Sequence, residues 1–70
     1  MIKEGTQVTW KWGNGKAIGK VQETYTEKVT KTIKGTEVTR NGEAGNKVLY
    51  IKQDDGDYVL KNESEVEHND

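Results

Sequence analysis

Glu63, Glu65 and Glu67, with His68 beside them, are the nearest this chain comes to a set of residues able to do acid–base chemistry or hold a metal. General acid–base work needs one such group held out of water so that its pKa moves toward the working pH. Alternating acids in a polar stretch near a chain end are ordinarily a solvated cluster, and the one histidine falls in a segment expected to fray. Cysteine is absent, which removes thiolate metal ligands and thiol nucleophiles together. With no nucleophile–base pair and too short a chain to wall off a dry cleft, an enzyme is not expected, nor a cofactor or a metal.

Other apparent motifs dissolve on their spacing. Gly13-x-Gly15-x-x-x-Gly19 misses the dinucleotide fingerprint by one residue, and it sits where a hairpin is expected rather than a strand leading into a helix. Gly15-Lys16 is followed by Ala17, not Ser or Thr, so no P-loop forms. Asp54-Asp55-Gly56-Asp57 hints at calcium, but an EF-hand loop needs acids at alternate positions and a closing glutamate; an Asp-Gly hairpin turn fits better. Asn62-Glu63-Ser64 matches a glycosylation sequon, but the first residues lack the apolar run of a signal peptide.

Two constellations survive as binding surfaces. Trp10, Trp12, Tyr25, Tyr50 and Tyr58 are enough rings to build a cage that holds a cation by cation–π attraction, provided some converge around an acid; the competing use of each ring is core packing. Lys28, Lys31, Lys34 and Arg40, with the hydroxyls of Thr30, Thr32 and Thr39, are enough to contact a phosphate backbone. The competing use there is protection of an exposed edge strand from sheet-to-sheet pairing. Trp12 and Tyr58 are the expected stacking surfaces, Lys34 and Arg40 the expected anion contacts.

The elements that must position these residues read as strands. Thr6-Gln7-Val8-Thr9-Trp10-Lys11-Trp12 alternates, with Val8, Trp10 and Trp12 on one face. Gly13-Asn14-Gly15-Lys16 supplies a tight turn into a second strand at about residues 17–26, where Ala17, Gly19, Val21 and Tyr25 share parity and Gly19 leaves room for Trp10 to lie across the backbone. Residues 29–34 interleave β-branched residues with lysine, as a solvent-facing strand does. Residues 36–40 are a further extended piece, so the two form either an exposed hairpin or a long loop. Val48-Leu49-Tyr50-Ile51 is the expected central strand and Tyr58-Val59-Leu60-Lys61 its hairpin partner. Asn62-Glu63-Ser64-Glu65-Val66 suits a single helical or 3₁₀ turn closed by Val66.

Seventy residues allow one domain, expected over residues 1–67 with 68–70 as a disordered tail. Because only 30% of the residues are hydrophobic, the core must come from few positions: Val8, Trp10, Val21, Ile33, Val48, Leu49, Ile51, Val59 and Leu60. The net charge of −1 conceals a split. Residues 1–40 carry eight Lys/Arg against four Glu, and 41–70 carry three Lys against eight Asp/Glu. Within one small domain that split favours pairing of the halves with each other. No run approaches the roughly 18 apolar residues of a membrane span, so the expectation is a soluble, cytoplasmic protein, monomeric rather than oligomeric.

Val8-x-Trp10-x-Trp12, Gly19-Lys20-Val21, the string from Thr32 through Ile33-Lys34-Gly35-Thr36-Glu37-Val38-Thr39-Arg40 to Asn41-Gly42, and Asp55-Gly56-Asp57-x-Val59-Leu60-Lys61 with Ser64-Glu65 together resemble the hypervirulence-associated Tudor-like domain family, small and mostly bacterial proteins. The resemblance runs over nearly the whole chain. It implies an all-β fold, a small SH3-like, Tudor-like barrel of five to six antiparallel strands with a short helical turn near the C-terminus. It implies no established activity, cofactor or partner. The expected function is a non-enzymatic binding module for an unidentified protein or peptide. The alternative is a nucleic-acid-binding barrel using the basic segment 28–40.

Overall fold

The first hairpin follows from its turn. Gly13 takes φ +58° at the start of the two-residue loop Gly13-Asn14, and β1 (Gln7–Trp12) and β2 (Gly15–Tyr25) zip from Trp12 opposite Gly15 to Gln7 opposite Lys20. The computed structural model describes residues 2–68, with Trp12 described by its backbone alone. β3 (Val29–Ile33) and β4 (Thr36–Arg40) form a second hairpin, which settles the open choice between hairpin and loop for this stretch. Lys34 and Gly35 both hold positive φ, +52° and +78°, as a type I′ turn requires. β5 (Val48–Gln53) and β6 (Tyr58–Asn62) form the third. Their turn puts Gly56 at φ +93° and is tied by Gln53 N–H donating to the Asp57 carbonyl (2.7 Å) and Gly56 N–H to that of Gln53 (2.9 Å).

A 3₁₀ turn at Glu63–Glu65 then leads to β7 (Glu67–His68), which pairs with β1 through Thr9 opposite Glu67 and Val8 opposite His68. The stretch beyond Val66 was expected to fray, but it covers part of the outer edge of β1, whose backbone would otherwise be open to pairing. Residues 69 and 70 lie outside the described residues.

Hydrogen bonding divides the strands into a five-stranded sheet, ordered β6-β5-β2-β1-β7, and a separate two-stranded ribbon, β3-β4. All pairings are antiparallel. The closed barrel of five or six strands is therefore not what the backbone ladder makes: seven strands are present among the described residues, and no ladder joins the ribbon to the sheet. Side chains join them instead. Asn62 Nδ2 donates to the Asn41 carbonyl at 2.8 Å, and three ion pairs run from ribbon cations to sheet-side carboxylates.

β2 is long enough to serve two partners. Its first half pairs with β1, and from Gly19 onward it pairs with β5. A bulge falls between Val21, opposite Ile51, and Glu23, opposite Tyr50, so Gln22 has no counterpart. Because opposed residues in an antiparallel pair share a face, the bulge reverses the parity of everything after it. Val21 faces the same side as Ile51, whereas Glu23 and Tyr25 face the side of Tyr50 and Val48.

Two apolar clusters result. Ile2, Val8, Trp10, Val21, Leu49 and Ile51 form one, with Ala17, Val59 and Val66 against it. Val29, Val48 and Leu60 form the other, with Tyr25, Ile33, Val38 and Tyr50 around them, between sheet and ribbon. Of the expected core, Ile33 and Val59 are only half-buried, while Ile2 and Val29 are buried without having been expected. Ile2 is brought in by the chain start, where Gly5 N–H donates to the Val21 carbonyl (2.8 Å) and Val21 N–H to that of Thr6 (2.9 Å). The expected partner of Gly19 is also corrected. A Cβ there would stand 2.5 Å from the Ile51 Cγ2 methyl and 2.8 Å from the Lys52 carbonyl oxygen, so Gly19 makes room for β5, not for Trp10.

Candidate cation-binding site

The bulge in β2 builds this site. Without the extra residue, Glu23 and Tyr25 would lie on the face of Val21 and the first core cluster; with it, they join Tyr50 on the face that the ribbon covers. The β5–β6 register, Tyr50 opposite Leu60 and Lys52 opposite Tyr58, makes Tyr50 and Tyr58 diagonal neighbours. Their rings stack, with centroids 5.0 Å apart and planes 15° from parallel.

The ribbon brings the cation. In β3, Val29, Lys31 and Ile33 turn inward while Thr30 and Thr32 are exposed, so the strand is not the solvent-facing one that its lysines suggested. Two apolar neighbours set its orientation, and the aliphatic stem of Lys31 follows them. Its Nζ stands 4.8 Å from the Tyr50 ring centroid and 5.3 Å from that of Tyr25, within cation–π range of both. It is also 3.3 Å from Glu23 Oε1. The Tyr25 hydroxyl donates a short hydrogen bond to that same carboxylate oxygen. Ring faces, a carboxylate and an ammonium thus converge on one point.

The electrostatics follow from the contacts. The Tyr25 hydroxyl, and after it the Lys31 ammonium, hold the Glu23 carboxyl below its ordinary pKa. The same bond raises the Tyr25 phenol, because ionisation would put two anions together. Lys31 is raised by its interaction with the Tyr25 hydroxyl first and Glu23 second. Such a site stabilises a positive charge. No cluster of His, Cys, Asp or Glu suited to a metal ion occurs among the described residues.

The four residues expected to bind do not form one site. Tyr58 adjoins the cage through Tyr50 and also lines a groove with Lys34. Lys34 Nζ is 2.7 Å from Asp57 Oδ2, which raises its pKa. Arg40 lies elsewhere, its Nη1 2.9 Å from Glu65 Oε1. The Trp12 side chain lies outside what is described. Sequence reasoning included Tyr25, Tyr50 and Lys31 in its wider sets but missed Glu23. The available signal was Glu23-x-Tyr25 at the end of a strand too long for one partner, with Val29-x-Lys31-x-Ile33 supplying an inward-facing lysine.

A family model described as "Hypervirulence associated proteins TUDOR domain" matches residues 5–66. Searches of curated proteins and of solved structures found no match.

Proposed function

This chain belongs to the family of hypervirulence-associated TUDOR domains, and on that premise we propose that it is a non-enzymatic module recognising a cationic side chain of a protein or peptide partner. The observation that carries the reading is Lys31. An ammonium already rests over Tyr50 and Tyr25 beside Glu23, which supports a site that favours positive charge with the protein's own lysine as its internal occupant. A partner cation must displace it, which lowers the apparent affinity by the fraction of molecules in which Lys31 is out. We also read the ribbon as the closing wall of an SH3-like barrel whose last seam is made by side chains. The Asn62–Asn41 bond and the Arg40–Glu65 pair support that reading.

Nucleic acid is the less favoured partner. Of the four ribbon-segment cations, Lys31, Lys34 and Arg40 each hold a carboxylate, so phosphate binding would have to break those pairs.

Lys31→Ala should empty the cage without touching its walls. Titrating wild type and variant with a trimethyl-lysine peptide, followed through the Tyr25 and Tyr50 ring signals, should give several-fold tighter binding in the variant, and Tyr50→Ala should abolish it. Unmoved ring signals in folded Lys31→Ala would overturn the assignment. Shifts on residues 28–40 with a short DNA duplex, erased by salt, would favour the phosphate reading instead.

A further inference from the structure

β2 begins before its second partner does. Its pairing with β5 starts at Gly19 opposite Gln53, so residues 15–18 are laddered to β1 on one side only. In an antiparallel hairpin whose two-residue loop is closed by the bonded pair Trp12 and Gly15, alternation turns the backbone groups of Lys16 and Ile18 away from β1. Of these, the Ile18 carbonyl receives only a long bond from Asp54 N–H, at 3.4 Å. A short stretch of open, exposed sheet edge remains next to the first hairpin's turn.

That edge forms one wall of a groove of about 730 Å³, a volume in the range of ligand sites. Ala17 and Ile18 stand on the β2 side, Ile33 and Lys34 of the ribbon tip on the other, and Tyr58 and Val59 line it between them. Ile18 is 38% exposed, the one large hydrophobic residue in the exposed class among those described. Three aspartates, Asp54, Asp55 and Asp57, line the groove against two lysines, and Lys34 is already engaged by Asp57. The surplus is negative and lies at the β5–β6 turn.

We propose that residues 15–18 of β2 accept an extended peptide as an added strand, with apolar side chains against Ile18, Ile33 and Tyr58 and basic side chains toward Asp54 and Asp55. Main-chain bonds to an open edge supply affinity in this mode, and alternate side-chain positions supply selectivity. The occupant is accordingly a segment alternating apolar and basic residues, the complement of an apolar lining with an acidic rim. This surface meets the Tyr25–Tyr50 cage only at Tyr58, whose ring stacks on Tyr50, and residues 15–18 lie outside the cage.

The probe is an acetylated, amidated hexapeptide of alternating lysine and valine, titrated into isotope-labelled protein, with the glutamate–valine hexapeptide as its control. Binding should shift the amides of residues 15–18, Ile33, Lys34 and Tyr58, and slow amide exchange at Lys16 and Ile18. The control should leave them unchanged. Ile18→Lys, at an exposed position, should leave the fold intact and weaken the lysine peptide by about tenfold or more, the loss of an apolar contact plus an added repulsive charge. Lys16→Pro, which removes an outward N–H that β1 does not use, should weaken it similarly. The proposal is overturned if residues 15–18 do not respond, if both peptides act alike, or if the shifts track protein concentration alone and so report self-association. Shifts confined to Tyr25, Lys31 and Tyr50 also overturn it, assigning the peptide to the cage.

Discussion

Tyr25, Glu23 and Lys31 act as a unit, and their titration should show it. Glu23 has a depressed pKa in the fold, so its contribution to stability is present above the unfolded carboxylate value and is lost as pH falls through the lower folded value. Tyr25→Phe removes the largest cause of that depression. Carboxyl chemical shifts followed through an acid titration should then place the Glu23 midpoint closer to the ordinary glutamate range, with a correspondingly flatter acid limb in thermal stability. An unchanged midpoint would mean that Lys31 alone sets it. Arg40 shows a different residue-scale lesson. Its residue type marks it as an anion contact, and the anion it meets is Glu65, whose Oε1 also accepts the Asn62 N–H at 2.9 Å. Such a half-exposed pair contributes about 0–1 kcal/mol, so it positions the end of β4 more than it stabilises the fold. Which cations were committed internally was not legible from residue type, because the deciding quantity is a distance between segments far apart in sequence.

At the scale of elements, the turns were readable and the bulge was not. Gly13, Gly35 and Gly56 each hold the positive φ that marks a hairpin, and all three hairpins form where those residues stand. The bulge has no comparable residue signature at Gln22, since it arises from β2 having to pair with β1 and then with β5 while the sheet bends. Missing it put Tyr25 on the wrong face. The register on the near side of the bulge is testable at Gly19. Gly19→Ala should cost about 1–3 kcal/mol, because the added methyl meets backbone of β5 as well as a core methyl and neither can move freely. Gly19→Leu should not fold. Thermal denaturation measures both, and an unchanged Tm for either variant would show that β2 and β5 do not approach as described. Sequence parity had named the right glycine and the wrong neighbour, since a strand's own alternation says which side is crowded but not by whom.

For the molecule as a whole, the margin of stability is narrow. A domain this small retains about 3–5 kcal/mol of net stability, whereas truncating a fully buried leucine costs about 2–5 kcal/mol. Leu49 is completely buried in the first cluster, so Leu49→Ala should be largely unfolded at ambient temperature, read as loss of amide dispersion and of the cooperative melt. A cooperative transition within a few degrees of wild type would show that the clusters share the load more evenly. Two ion pairs cross the charge split between the chain's two parts, Lys34 with Asp57 and Arg40 with Glu65, while Lys31 meets Glu23 within the first part; together they help seat the ribbon where no backbone ladder does. Length, turn glycines, β-branched runs and the string around Ile33 to Gly42 determined the class of fold, its hairpins and its family, because those are local preferences and near-neighbour patterns. Only the tertiary structure decided that side chains, not a backbone ladder, join the ribbon to the sheet, that β2 reverses its face at Gln22, and that Lys31 lies over the Tyr25 and Tyr50 rings. Each of these depends on which distant strands meet and in what register, and one residue of slip in an antiparallel pair sends every side chain to the opposite face.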